Sequence, residues 1–272
     1  CPLSTLWQMR EAPCVNKRCV RCTIDAGRPP QWWRYTGNLE RNLRHVDALL
    51  APSEFAIAKH VEMGLTVPFT LLPNFLPGAD PVEDAGAKVA TTPRERPFFL
   101  FAGRLDQTKG VQVLVDAFRR FDAADLLIVG AGPHEETLRE QATGLDHVHF
   151  TGQMPYAQLQ GLYRDAVATL VPSMWYEPFG LIVLESFAQG TPVIVNNAGA
   201  PPELVKASGG GLVYDSPTGL LEALQKLCGD HTLATDLGEH GRAALDAHWT
   251  EERHLEQYLA LVNQHLERRG AA

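Results

Sequence analysis

Two carboxylates eight residues apart, Glu177 and Glu185, enclose the segment Pro178-Phe179-Gly180-Leu181-Ile182-Val183-Leu184. The apolar pattern over 179–189 predicts a helix, along which the carboxylates would be separated by about 12 Å at ~1.5 Å per residue. One would sit at the helix mouth and the other along its body. That separation spans the distance from the sugar to the ribose of a nucleotide-diphosphate sugar, with the free N–H groups of Phe179, Gly180 and Leu181 aimed at the phosphates between them. A carboxylate inside LIVLESFA is costly to bury without a partner, so a salt bridge or an exposed face is the plain alternative for Glu185.

The turn Gly103-Arg104-Leu105-Asp106-Gln107-Thr108-Lys109-Gly110 carries two cations between glycines. Arg104 can hold phosphate oxygens bidentately, Lys109 adds a point charge, and a helix starting at 110 supplies N–H groups, which together suit a diphosphate. Solvated cations on a surface turn are the default reading of the same residues. Gly130-Ala131-Gly132-Pro133 lacks the third glycine of a dinucleotide fingerprint, because Glu135 holds that position, which argues against an NAD enzyme. Trp175 and Tyr176 either stack on a sugar or cover a core edge. His147 and His149 read as structural, with no Asp or Cys partner in reach by sequence.

These loops need a scaffold. From Pro97 onward, β-type runs at 98–102, 125–129, 147–151, 167–171, 192–195 and 212–214 alternate with helical stretches at 110–121, 134–142, 155–164, 179–189, 202–207 and 217–228. Such alternation predicts an α/β fold of βαβ units, with a parallel sheet covered on both faces and ligands outside the carboxyl ends of its strands. Two more helices, 232–247 and 250–268, follow. Ahead of the sheet, 31–50 reads as a helix presenting Leu39, Leu43, Val46 and Leu50, then a short strand, a helix at 54–63 and a strand at 67–72. Four prolines and two glycines make 77–97 a linker. The expected division is 1–76, the linker 77–97, the main α/β unit at 98–230, and closing helices at 231–272.

With 45% hydrophobic residues, 21% charged residues, 23 glycines and 19 prolines among 272, the chain is folded and rich in loops, and collagen-like or bulk-disordered classes are excluded. Its longest apolar runs end well short of the ~18 residues of a membrane span. A net charge of −8 argues against nucleic-acid binding. Residues 1–50 nevertheless hold eight Lys/Arg against four Asp/Glu, so a basic face there could meet an anionic acceptor or a membrane surface, a solvated helix face being the plainer choice. Four of five cysteines, Cys1, Cys14, Cys19 and Cys22, fall in the first 22 residues. They could close a tetrahedral structural zinc site, with a disulfide pair or free thiols as alternatives.

The succession G-R-L-x-x-x-K-G, a strand ending G-x-G-P, F-T-G, P-S-x-x-x-E-P-F-G-L-x-x-L-E-x-x-A-x-G-x-P-V-I and G-x-P-P-E-L-V resembles the C-terminal half of the retaining glycosyltransferases of family 4, which have the two-domain GT-B fold. The resemblance runs from about residue 35 and is densest between 98 and 215. It implies transfer of a hexose-type sugar from a nucleotide-diphosphate sugar to a glycan or glycolipid, with retention of configuration, as in polysaccharide biosynthesis. Gly103, Arg104 and Lys109 would hold the donor diphosphate together with Phe179, Gly180 and Leu181. Glu177 would be the catalytic carboxylate at the transferred sugar, Glu185 would bind the ribose, and Gln153 and Met154 would lie near the base. No D-x-D motif occurs, in keeping with cationic side chains and a helix N-terminus replacing a metal cofactor.

Residues 1–76 resemble only the closing part of the family's acceptor-binding N-terminal domain. The expectation is therefore a truncated chain that binds nucleotide-sugar weakly and turns over little, cytoplasmic or peripheral to the inner membrane face. A non-catalytic nucleotide-binding remnant or accessory subunit is the alternative, and the GT-B sugar-nucleotide epimerases fit the E-P-F-G segment less well.

Overall fold

At the amino-terminal end a two-residue antiparallel pair, β1 (Trp7–Gln8) and β2 (Ala12–Pro13), precedes helix α1 (Cys19–Asp25). The computed structural model describes residues 7–8, 12–14, 18–78 and 96–270. A 3-10 turn at Trp32–Tyr35 and a short helix, α2 (Asn38–Leu43), come next. Then β3 (Leu49–Ala51), α3 (Glu54–Glu62) and β4 (Phe69–Leu71) form one βαβ unit whose two strands pair in parallel.

The main body alternates without interruption. It runs β5 (Phe98–Ala102), α4 (Val111–Phe118), β6 (Asp125–Val129), α5 (Glu135–Gln141), β7 (Val148–Gly152) and α6 (Tyr156–Asp165). It continues with β8 (Ala168–Val171), α7 (Leu181–Ala188), β9 (Val193–Asn196), α8 (Pro201–Ser208), β10 (Gly211–Tyr214) and α9 (Pro217–Gly229). The six strands form one parallel sheet in the order β10-β9-β8-β5-β6-β7. Such an order, built outward in both directions from β5 and β8, makes a topological switch point between those two strands.

Strand side chains alternate between faces, and both faces are buried. Phe99, Phe101, Leu126 and Ile128 pack with Leu114 and Phe118 of α4, Leu138 of α5 and Leu224 of α9. Phe98, Leu100, Leu127 and Val129 pack on the other side with Leu162 and Tyr163 of α6. Val193 and Val195 meet Val183, Leu184 and Phe187 of α7. Burial on both faces is why FFLFA and DLLIV are continuous apolar runs instead of alternating ones.

Helix α10 (His231–His248) and helix α11 (Glu251–Gly270) end the described chain. Near the start of α11, His254 Nδ1 lies 2.7 Å from the Pro73 carbonyl, and the ring of Phe75 lies 4.8 Å from the imidazole. Leu76 N donates to the Trp249 carbonyl at 3.2 Å. The chain leaving the small βαβ unit is thus pinned to the α10–α11 junction.

Several sequence expectations are corrected. The helix expected over 31–50 is reduced to a 3-10 turn and the six residues of α2, because Gly37 adopts a left-handed φ of +65° between them. Its apolar residues Leu39, Val46 and Leu50 are exposed. Helix α7 starts at Leu181, so Glu177 lies in the preceding loop and the helical rise covers only half of the interval to Glu185. His149 does have a carboxylate partner: its Nε2 lies 3.1 Å from Asp125 Oδ2, on the neighbouring strand. Of the linker, 79–95 lie outside the described residues, as does Cys1. No group of three or more potential metal ligands gathers among the described residues, so Cys14, Cys19 and Cys22 do not assemble the zinc site there. No helix there is long and apolar enough to cross a membrane.

Candidate functional site

The loops after β5 and β8 meet above the switch point. Met174 N donates to the Thr108 carbonyl at 2.9 Å, and a Cβ on Gly110 would fall 2.0 Å from the Pro172 carbonyl oxygen. Gly110 also has φ +76°, so this crossing of two backbones requires glycine twice over. The 3-10 turn Gln107–Lys109 is closed by Asp106, whose Oδ1 accepts from Thr108 N at 2.9 Å and from the Thr108 hydroxyl. That turn delivers Lys109 to Glu177.

Glu177 is buried, and among the described residues its Oε1 collects every side-chain donor to its carboxylate. Lys109 Nζ lies 2.7 Å away, the Ser173 hydroxyl donates to the same oxygen, and the Trp175 indole N–H reaches it at 3.4 Å. Oε2 accepts no bond from the described residues and is not sealed from solvent. It lies 3.7 Å from where a Cβ on Gly180 would be. Gly180, at φ +103°, is the N-cap of α7, and no side chain caps that helix. Since α7 runs back from the carboxyl ends of the strands, its first amides and Oε2 face one space.

The backbone of Glu177 is held from β9. Its carbonyl accepts from Ala200 N at 2.9 Å, and a Cβ on Gly199 would lie 2.6 Å from its nitrogen. Asn196, at the end of β9, donates from Nδ2 to the Ser173 carbonyl at 2.9 Å. Three loops therefore fix one carboxylate.

The glycines after β6 serve the same loop. A Cβ on Gly130 would fall 1.8 Å from the Gly103 carbonyl oxygen and one on Gly132 2.2 Å from that of Leu105. Gly103 N donates to Val129 O at 2.9 Å and Leu105 N to Ala131 O at 3.0 Å. Gly130-Ala131-Gly132 thus packs against backbone, which explains a glycine pair without a dinucleotide fingerprint. Arg104 projects outward at the rim, its side chain 70% exposed and its Nε 3.8 Å from Asp106 Oδ2.

Glu185 lies along α7 and is tied by its other oxygen. Oε2 accepts from the hydroxyl of Tyr163, a fully buried residue of α6, at 2.8 Å. Burial pushes the Glu185 carboxyl above the usual range, and the Tyr163 bond partly offsets this. The Tyr163 phenol is held far above its ordinary value by burial and then by the Glu185 charge, so it stays protonated and donating. Tyr156, at the start of α6, is raised for the same two reasons. Gln153 is exposed, and Met154 packs partly against Leu162 and Tyr163.

The small βαβ unit caps one side. Ser53 Oγ donates to the Pro178 carbonyl at 2.7 Å while accepting from Ala56 N as N-cap of α3. Glu203 of α8 accepts from Glu54 N at 3.1 Å, and its carboxyl is raised chiefly by burial. Tyr176 meets the Phe55 ring at 5.2 Å and lies under Lys59 Nζ at 4.5 Å, so it faces α3.

Sequence reasoning thus named Gly103, Arg104, Lys109, Glu177, Gly180 and Leu181, in the loops and helix start after β5 and β8, and Glu185, one turn further along α7. The side chain of Phe179 goes into the core. Ser173, Tyr163, Asn196 and Ser53 were missed. Only Ser173, four residues before Glu177, carried a local signal.

The family model described as glycosyl transferases group 1 matches residues 84–244, which contain the whole six-stranded sheet. The lipopolysaccharide core biosynthesis glycosyltransferase LpsE of Rhizobium meliloti is 28% identical over 224 residues, 80% of this chain and 65% of its own length. The GDP-mannose-dependent alpha-(1-6)-phosphatidylinositol monomannoside mannosyltransferase of Mycobacterium tuberculosis is 37% identical over 170 residues, 57% of this chain and 44% of its own. The chain thus spans between 44% and 65% of the length of these relatives. Among solved structures, sucrose-phosphate synthase from Thermosynechococcus elongatus superposes with a TM-score of 0.71 at 30% identity, over 82% of this chain and 59% of that one. Its six-stranded sheet, with the loops of β5 and β8 joined above the switch point, lies within the matched span, and the chain belongs to the glycosyl transferases group 1 family, with the GT-B fold.

Proposed function

We propose that the chain carries the donor half of a retaining hexosyltransferase, moving sugar from a nucleotide-diphosphate sugar to a glycan or glycolipid. The observation that carries this reading is the Lys109–Glu177 pair beside the uncapped start of α7. When the bond from the sugar to the diphosphate breaks, negative charge grows on the leaving phosphate. Lys109, Arg104 at the rim and the first amides of α7 would meet it. The open oxygen of Glu177 would take a hydroxyl of the transferred sugar, and Gln153 and Met154 would border the base. These residues supply the charge that another scaffold would draw from a divalent metal.

On this reading 98–230 is the donor unit, 1–76 lies on the acceptor side, 77–97 links them, and 231–272 returns towards 1–76. Lipid-linked acceptors are supported by relatives named for lipopolysaccharide core and phosphatidylinositol mannoside synthesis. They suit a site of action at the cytoplasmic membrane face, with the basic first 50 residues towards the lipid. Titration calorimetry with UDP, GDP and ADP tests the reading. One of them is expected to bind, about tenfold more weakly in Lys109→Ala. Binding of none, or binding indifferent to both Arg104→Ala and Lys109→Ala, would refute it.

A further inference from the structure

Glu185 and Tyr163 are 22 residues apart and belong to different helices, yet they form one hydrogen-bonded pair. The Tyr163 ring is packed among Phe98, Leu100 and Leu162, and its carbonyl accepts from the Thr191 hydroxyl at 2.6 Å, so the phenol has no freedom to leave. It takes Oε2. Oε1 has no partner among the described residues and is not sealed from solvent, so it is free to meet a ligand. A glutamate on its own would sample several side-chain rotamers and exchange its two oxygens, freedom that a ligand would have to remove.

We propose that Tyr163 is a positioning residue for the nucleotide's ribose: by anchoring Oε2 it holds Glu185 in the one orientation that presents Oε1 to the ribose hydroxyls. This rests on the reading of Glu185 as the ribose acceptor and adds the group that fixes its geometry. Hydrogen bonds to a preset acceptor discriminate strongly against a ligand lacking the hydroxyl, because the acceptor is then left unpaired. Tyr163 is therefore a determinant of ribose over deoxyribose.

The test uses UDP, GDP and ADP with their 2′,3′-dideoxy counterparts (the deoxy forms below), titrated into the full chain, with the tightest base carried forward. The wild-type chain is expected to prefer the ribo form by about tenfold. Tyr163→Phe keeps the ring and is expected to weaken the ribo form by about tenfold while changing the deoxy form by less than about twofold. Tyr163→3-fluorotyrosine, a stronger donor in the same place, tightens the ribo form alone and serves if the Phe variant does not fold. Equal loss for both forms in Tyr163→Phe marks a merely structural tyrosine and overturns the proposal. If Glu185→Gln abolishes the preference while Tyr163→Phe retains it, the proposal falls and the ribose reading of Glu185 stands. No preference in the wild-type chain sinks that reading, and this proposal with it.

Discussion

Lys109 Nζ and Glu177 Oε1 are 2.7 Å apart across the switch point of the sheet, joining a loop that follows β5 to one that follows β8. Glu177 Oε1 and Glu185 Oε2 are each tied by protein donors, and the other oxygen of each carboxylate takes no bond from the described residues. The site is thereby preset: ligand groups meet acceptors whose orientation has already been decided by folding.

Removing the cation leaves a buried carboxylate without its counter-charge. Lys109→Met is expected to lower stability by about 3–5 kcal/mol in urea unfolding. Glu177→Gln, which keeps an acceptor for Ser173 and Trp175, should cost less. In the double variant the losses should fail to add by more than about 1 kcal/mol; simple additivity would show that the pair is not coupled.

Glycine is required at 130 for a reason other than its φ. In Gly130→Ala the new Cβ would collide with the Gly103 carbonyl, 1.8 Å away, and the loop bearing Arg104 must move. A loss of about 3 kcal/mol or more is expected. Gly144→Ala, at φ +80° with open space around it, should cost only about 1–2 kcal/mol. Equal costs would show that backbone conformation, not the crossing of the two loops, governs position 130.

The raised carboxyl of Glu185 makes its contribution pH-dependent. Folding favours its protonated form, so the stability it adds is present below its unfolded pKa and is lost as pH rises through the folded one. Glu185→Gln should therefore melt at a higher temperature relative to wild type at neutral pH than at acid pH. Melting curves whose difference stays flat from acid to neutral would contradict the burial of that charge.

Ser53 ties α3 to the carbonyl of Pro178, next to Glu177. Ser53→Ala should cost about 1 kcal/mol as a lost cap. It also frees the loop over 172–180, so amide exchange there should quicken while the strands of the sheet keep their protection. Unchanged exchange in that loop would mean that α3 does not hold it.

The alternation of strands and helices was legible because each element carries its own period and each strand is buried on both faces. The cation turn and the paired carboxylates were legible because the chemistry lies in short continuous segments. Trp175 and Tyr176 were legible as site-loop aromatics, but not their partners: one turns to Glu177 and the other to Phe55 of α3. The helix expected over 31–50 failed because apolar spacing does not by itself create a surface to bury against, and Leu39, Val46 and Leu50 stay exposed.

By itself the sequence determined the α/β alternation, the residue types at the strand ends and the family. Tertiary structure alone decided the strand order, and with it that Lys109 reaches Glu177, that Tyr163 reaches Glu185 and that His149 reaches Asp125. The reason is physical: those contacts join residues 68, 22 and 24 positions apart, brought together by sheet pairing and helix packing, which no local period encodes. Which oxygen of each carboxylate is left for a ligand is a property of that packing.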